Sequence, residues 1–245
     1  MRSTSRLKAL LLILMAVFFA AILVNGKLYY YIGPRFSWLA LVAIVLFILL
    51  AGAYNLVRRE GAPGVDDDHE EHDHAHEPDT HESVWPILVT AVPLILAVIV
   101  PAKPLGANAI STRGISTGIA GKGAPLATDP SSRTVLDWAE AISANPDPKS
   151  LDGQQADAIG FVYRDPRFGR NQFMLTRFTI TCCVADALAI GVVVESDKAP
   201  QLQADSWVRV NGPFQAGVLD GKPIPVVKAI EVAPIQPPDQ PYLYP

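Results

Sequence analysis

The sequence predicts a membrane α-helical N-terminal region with three transmembrane helices, followed by a small all-β C-terminal domain. Two observations lead to this prediction. Hydrophobic residues make up 50% of the 245 residues, and in the first hundred they form three long apolar runs. The last hundred residues alternate short apolar stretches with turn residues. We therefore expect a transmembrane region over 1–104, a linker over 105–130 and a soluble β domain over 131–245.

Each apolar run predicts one membrane crossing. Ala9–Val24 follows a basic start, and the absence of a small-x-small cleavage site after it favours a retained helix over a secretory signal peptide. Trp38–Leu56 follows a cluster of aromatic residues typical of a membrane interface. Val84–Val100 contains two prolines, which a membrane helix tolerates; the alternative is an interfacial or buried helix.

The distribution of basic residues predicts the orientation of these helices. One predicted side carries Arg2, Arg6, Lys8, Arg58 and Arg59, and the other carries Lys27, Arg35 and Lys103. The positive-inside rule places the first group in the cytoplasm. The sequence therefore predicts a multi-pass protein of the bacterial plasma (inner) membrane, with an extracytoplasmic C-terminal domain. Cleavage of the first segment would leave that topology unchanged.

A histidine- and acid-rich loop over 61–83 joins the second and third predicted helices. It holds all five histidines of the chain among nine carboxylates. Imidazole and carboxylate groups bind zinc, nickel or copper, so the composition indicates a flexible, loosely binding metal segment. A solvated acidic spacer and a pH sensor are the alternatives. The candidate ligands are His69, His72, His74, His76 and His81.

The soluble domain is predicted to contain one leading helix and five strands. Ser131–Ser143 has apolar residues at near-helical spacing and ends before Asn145-Pro146. The predicted strands are Ala158–Tyr163, Gln172–Thr181, Ala189–Glu195, Trp207–Phe214 and Ile224–Val232. Turn residues are expected at Asp165-Pro166, Gly169, Asn211-Gly212 and Asp220–Pro223. Five strands in this length favour a small barrel of the OB type.

The only two cysteines, Cys182 and Cys183, follow the second predicted strand. If the strand continued through them, alternation would place Cys182 in the core and leave Cys183 on the polar face. A buried structural pair is one interpretation. Thiolate metal binding or redox chemistry is the other, aided if Arg177 lowers a thiol pKa. A metal site would need Asp165, Asp186, water or another chain to complete its coordination.

Other functional classes lack supporting motifs. The net charge is -4 and no basic stripe occurs, so a nucleic-acid partner is not expected. No catalytic triad, phosphate-binding loop or spaced carboxylate pair is present in the sequence. The chain is therefore predicted not to be an enzyme.

Seven motifs spread over nearly the whole chain resemble the YcgQ-like bacterial membrane proteins. They are YIGPRF, the histidine- and acid-rich loop, VPAKPLG, GFVYRD, QFMLTRFTITCCVADA, WVRVNGPF and the terminal PYLY. Cys182 and Cys183 match the cysteine pair of that family, and Arg164-Asp165 matches its YRD turn. The resemblance implies an accessory subunit that pairs with a separate polytopic permease of an efflux-like type. It implies no transported substrate.

These features together predict a non-enzymatic accessory subunit of a membrane permease that handles transition-metal ions. The expected partners are the lipid bilayer and a polytopic permease; the sequence assigns neither the metal nor the oligomeric state. One alternative is an extracytoplasmic thiol-redox or metal-sensing protein in which Cys183 acts directly. The other is a structural membrane anchor without a ligand.

Overall fold

A computed structural model describes residues 2–60, 85–113 and 132–245. The chain divides into two compact units. The first comprises Met1–Leu28 and Phe36–Ala102, and the second comprises Tyr29–Arg35 and Lys103–Pro245. The segment between the first two helices therefore belongs to the same unit as the C-terminal domain.

The first unit contains the helices α1 (Arg2–Val24), α2 (Trp38–Glu60) and α3 (Trp85–Ile99). Alanines such as Ala16 and Ala40 are almost fully buried, and the rings of Phe19 and Phe47 lie 5.8 Å apart where α1 packs on α2. Small residues let two helices approach closely, as they do in membranes. Many of the larger apolar side chains of these helices are exposed, which suits contact with lipid.

Two segments of the described chain, Leu7–Val24 and Pro34–Ala53, are helical, long and apolar enough to cross a membrane. The third predicted crossing forms the helix α3, which has 15 residues. It is shorter than the ~20 residues that usually span the hydrocarbon core.

The second unit is a mostly β domain with two short helices, α4 (Ala107–Arg113) and α5 (Val135–Ala144). The strands β1 to β7 are Gln155–Tyr163, Gln172–Thr179, Leu188–Glu195, Trp207–Leu219, Lys222–Lys228, Glu231–Pro234 and Tyr242–Leu243. The sheet order is β1-β2-β3-β5-β4-β6, with β7 beside β2. An additional pairing joins β1 to β4, so five strands form a closed ring.

The described residues of this domain form three apolar clusters, of which the smallest contains Met174, Val193 and Val226. In the first, α5 covers the sheet, and the fully buried Trp138 packs on Phe214 with ring centroids 4.8 Å apart. Thr134 begins α5 with a reciprocal capping box formed with Asp137. The second cluster contains Phe161, whose ring stacks on that of Phe178 in β2 with centroids 5.7 Å apart, and it also includes Ile110 of α4.

The predicted strands are present, with two corrections. The stretch predicted as one last strand forms β5 and β6, separated at residues 229–230. The prediction of a turn at Asn211-Gly212 is wrong, because both residues lie inside β4. The turn predicted at Asp220–Pro223 is confirmed: the hairpin between β4 and β5 turns at Asp220 and Gly221, which both have positive φ angles, 50° and 74°.

Candidate functional site

The cysteine pair lies in a turn and not in a strand. β2 ends at Thr179, and a short 3-10 turn begins at Val184. The expectation that Cys182 fills the core is wrong, because the extended conformation stops before it. Both cysteines are free and partly exposed, and their Sγ atoms lie 3.7 Å apart.

The carboxylate of Asp186 holds this turn in shape. It accepts hydrogen bonds from the backbone N–H groups of Thr181 at 3.1 Å and Cys182 at 2.8 Å. The hydrogen bond from the Cys182 thiol to Asp186, and then that to Cys183, raises the pKa of Cys182 to about 11. This thiol is therefore almost entirely protonated at neutral pH, which disfavours a role as a redox nucleophile.

Buried residues fix both ends of the turn. Ile180 precedes it and Ala187 follows it, and they are 1% and 3% exposed. Both belong to the second apolar cluster, together with Phe178 and Trp207. The sulfur atoms are thus attached to a rigid part of the domain.

Arg177 does not lower a thiol pKa, which the sequence had left open. Its guanidinium donates to the carbonyl oxygens of Gln240 at 2.9 Å and Pro241 at 2.8 Å, and lies 5.2 Å from the centre of the Trp207 ring. Burial lowers the pKa of Arg177 to about 10. The side chain fastens the C-terminal strand to β2, while the pKa of Cys182 is raised and not lowered.

The segment Tyr29–Arg35 pairs with the thiol turn. It forms one antiparallel β-bridge and several hydrogen bonds with the C-terminal domain. These are the Ile32–Cys183 bridge, Val184 N to Tyr31 O at 2.9 Å, Gly33 N to Cys182 O at 2.8 Å, and Tyr242 Oη to Tyr30 O at 3.2 Å. Sequence reasoning did not predict this pairing; the only signal was the YIGPRF motif, Tyr31–Phe36, which overlaps the segment.

A small cavity of about 170 Å³ adjoins this pairing. Its lining residues are Gly33, Pro34, Arg35, Ile180, Thr181, Tyr244 and Pro245. The hydroxyl of Tyr244 is buried and has no hydrogen-bond partner among the described residues. Burial raises the pKa of that hydroxyl, so it stays neutral at physiological pH.

The remaining predicted ligands are placed as follows. The five histidines, His69 to His81, lie outside the described residues, so their role in metal binding stays a prediction. The side chain of Arg167 donates two hydrogen bonds to the carboxylate of Asp165. These hydrogen bonds are the main reason that the pKa of Asp165 is lowered to about 2. Within 2–60, 85–113 and 132–245, no three His, Cys, Asp or Glu side chains group as a metal site.

The structure defines a class of protein with apolar N-terminal helices and a C-terminal mostly β domain that carries a paired-thiol turn. The chain belongs to the DUF1980 family: residues 7–116 match the DUF1980 N-terminal domain, and residues 131–245 match the DUF1980 C-terminal domain. This confirms the resemblance to the YcgQ-like proteins.

Two curated relatives support the assignment. The UPF0703 protein YcgQ of Bacillus subtilis (strain 168) is 31% identical over 94 residues, which are 38% of this chain and 33% of that protein. This match thus spans about a third of the Bacillus protein. A Streptococcus mutans protein, provisionally named a two-component membrane permease complex subunit, is 21% identical over 262 residues, 90% of this chain and 92% of its own. No solved structure matches significantly.

Proposed function

We propose that this chain is the accessory, non-enzymatic subunit of a plasma-membrane permease complex, with three membrane crossings and an extracytoplasmic β domain. The name of the Streptococcus mutans relative supports the permease association. Two or three helices enclose too little space for a solute pathway. A polytopic partner therefore supplies the transport pathway, and this chain contributes the domain at the membrane surface.

The pairing of Tyr29–Arg35 with the β domain carries the topology. This segment connects α1 to α2, so it lies on the side of the membrane where α1 ends and α2 begins. Its backbone hydrogen bonds to Cys182 and Val184 require the β domain on that same side. A bilayer cannot separate the two partners of a hydrogen bond.

The same pairing supports the proposed third crossing. In this topology α2 crosses the membrane and ends at Glu60 on the opposite side. From Lys103 the chain again belongs to the second unit, so it must have crossed back before that residue. The helix α3 lies between these points and is strongly apolar. At 1.5 Å per residue it is about 22 Å long. Local thinning of the bilayer and the apolar residues that follow it accommodate the difference from a hydrocarbon core of about 30 Å.

The ring of strands supports assignment of the domain to the OB type. The five strands β1, β2, β3, β5 and β4 close on one another, and β3 runs parallel to β5 while the other neighbours in the ring are antiparallel. A five-stranded barrel whose third and fifth strands meet in this way has a Greek-key connection, as OB barrels do. The fold by itself does not specify a ligand.

Cysteine accessibility tests the topology. In a Cys182→Ser/Cys183→Ser background we expect Ala216→Cys, at an exposed position of β4, to react with a membrane-impermeant maleimide in intact cells. The matched Ala75→Cys variant, in the loop between α2 and α3, should react only after the membrane is opened. The reverse pattern, or equal labelling of both, would contradict the proposed orientation.

Co-purification tests the permease association separately. The full chain, tagged and extracted in a mild detergent, is expected to retain a polytopic membrane protein identifiable by mass spectrometry. A variant lacking the β domain, residues 131–245, serves as the comparison for the part of the chain that holds the partner. Recovery of the intact chain alone, at near-native expression, would argue against the accessory-subunit function whatever the topology.

A further inference from the structure

We infer that Cys182 and Cys183 form a site for a thiophilic cation of tetrahedral preference, with Zn²⁺ as the reference ion, in which each thiol releases its proton to solvent and binds the ion as a thiolate. The site lies on the turn that follows β2. The inference stands on the geometry of this turn and does not depend on which partner the chain has in the membrane.

The separation of the sulfur atoms matches one edge of a tetrahedral site. With Zn–S bonds of about 2.3 Å, the observed Sγ–Sγ distance of 3.7 Å gives an S–Zn–S angle of about 107°. The ideal tetrahedral angle is about 109°. A linear two-coordinate ion with bonds of about 2.3 Å would need sulfur atoms about 4.6 Å apart. The separation of the two sulfur atoms therefore fits a tetrahedral ion.

The same distance disfavours a disulfide. A disulfide requires sulfur atoms about 2.05 Å apart, and a bond between neighbouring residues strains the intervening backbone. The two thiols are free in the structure at 3.7 Å. Chelation of one ion by both sulfurs preserves their separation, whereas oxidation would distort the turn.

The turn is shaped before any ion arrives. Asp186 binds the N–H groups of Thr181 and Cys182 on one side. On the other side, Gly33 and Tyr31 pair with the backbone at residues 182–184. A site whose ligands are already positioned binds with a smaller loss of conformational entropy. Asp186 is thus a positioning residue, because its carboxylate is engaged by backbone N–H groups of the turn.

Only half of the coordination shell comes from the turn. Among the described residues no third His, Cys, Asp or Glu side chain joins the pair in a metal-binding group. Thr181 and Ala185, on the same turn, are exposed to solvent. Structural zinc sites are closed by four protein ligands, whereas sites that exchange a ligand keep positions open. The two remaining positions therefore accept water or donors from another molecule, which suits temporary holding and transfer of the ion.

Cobalt substitution tests the site in the full chain. In detergent with a phosphine reductant, one equivalent of Co²⁺ should produce a thiolate-to-cobalt charge-transfer band that Zn²⁺ abolishes. We expect Cys182→Ser and Cys183→Ser each to lose most of the band, and Thr181→Ala, in the same turn, to keep it. Histidine ligands give no such band, so the band reports on the thiols alone; because the 61–83 segment can compete for Co²⁺, the titration is continued to saturation. Folded serine variants that retain the full band would overturn the inference.

Thiol protection gives a second test that needs no variant. The chain has two cysteines, so all alkylation reports on this pair. We expect stoichiometric Zn²⁺ to slow alkylation of both thiols at least tenfold, and a chelator to restore the rate. An unchanged rate in excess Zn²⁺ would overturn the inference. The permease association would be unaffected, because co-purification is measured independently.

The contribution of Asp186 can be measured in the same assay. Asp186→Asn should weaken Co²⁺ binding about 10- to 100-fold while leaving the charge-transfer band present at saturation, as expected for a group that orients metal ligands. Unchanged affinity would show that Asp186 does not position the site.

Discussion

Gly212→Ala is expected to destabilise the β domain by about 3 kcal/mol, at the upper end of the range for overpacking. A Cβ atom at this position would lie 2.2 Å from the carbonyl oxygen of Lys228 and 2.9 Å from Cα of Ala229. Both neighbours are backbone atoms, so no side-chain rotation relieves the overlap. The measurement is denaturant unfolding of the full chain in detergent, followed by tryptophan fluorescence.

The location of Gly212 explains why the clash cannot be avoided locally. β4 pairs with β6 up to Asn211 and with β5 from Phe214 onward. Gly212 lies where β4 changes partner, and the chain between β5 and β6 passes directly over it. Gly169→Ala is the matched control, because its Cβ would be no closer than 3.4 Å to the flexible side chain of Gln172. Equal stability of the two variants would contradict this explanation.

Arg177→Ala is expected to destabilise the domain by about 3 to 4 kcal/mol, since hydrogen bonds to a buried charged group contribute roughly 1.5–3 kcal/mol each. Arg177 is only 8% exposed. Its loss leaves the carbonyl groups of Gln240, Pro241 and Tyr242 without their cationic donor. We expect the C-terminal residues to become sensitive to carboxypeptidase at a denaturant concentration that leaves the wild-type protein intact.

Arg209→Ala provides the control for this prediction. The ion pair of Arg209 with Asp157 is partly exposed and spans 3.0 Å. Exposed ion pairs contribute about 1 kcal/mol or less, so this variant should unfold close to the wild type and keep its C terminus protected. If the two arginine variants behaved alike, the role of Arg177 in holding β7 would be wrong.

Local patterns predicted the secondary structure well where the residues themselves set the conformation. The apolar runs give α1 and α2, and Thr134 with Asp137 caps α5 through side chains close in sequence. Asp220-Gly221 turns the hairpin, because these residues accept positive φ angles. Asn211-Gly212 has the same turn signal but lies in β4. There Gly212 is required because the backbone of Lys228 and Ala229 lies against it. A pattern of neighbouring residues does not predict that contact.

The cysteine turn likewise has features that neighbouring residues predict and features that only tertiary contacts decide. The sequence placed both thiols at the end of β2, but alternation assigned Cys182 to the core because nothing local ends the strand at Thr179. The end of the strand depends on Asp186, which binds the N–H groups of the turn. The sequence left open that Arg177 lowers a thiol pKa, whereas tertiary packing directs its side chain to the C-terminal carbonyl groups.

The sequence alone determined where the apolar helices, the helix α5 and the first four strands of this protein lie, but it did not predict α4 or β7. Periodicity, capping and turn chemistry act over a few residues, so they can be read without the fold. Tertiary structure decided that Tyr29–Arg35 pairs with the thiol turn, and that the two sulfur atoms lie 3.7 Å apart. The pairing joins residues some 150 positions apart, and the sulfur separation depends on the turn that this pairing and Asp186 hold, so neither follows from local sequence.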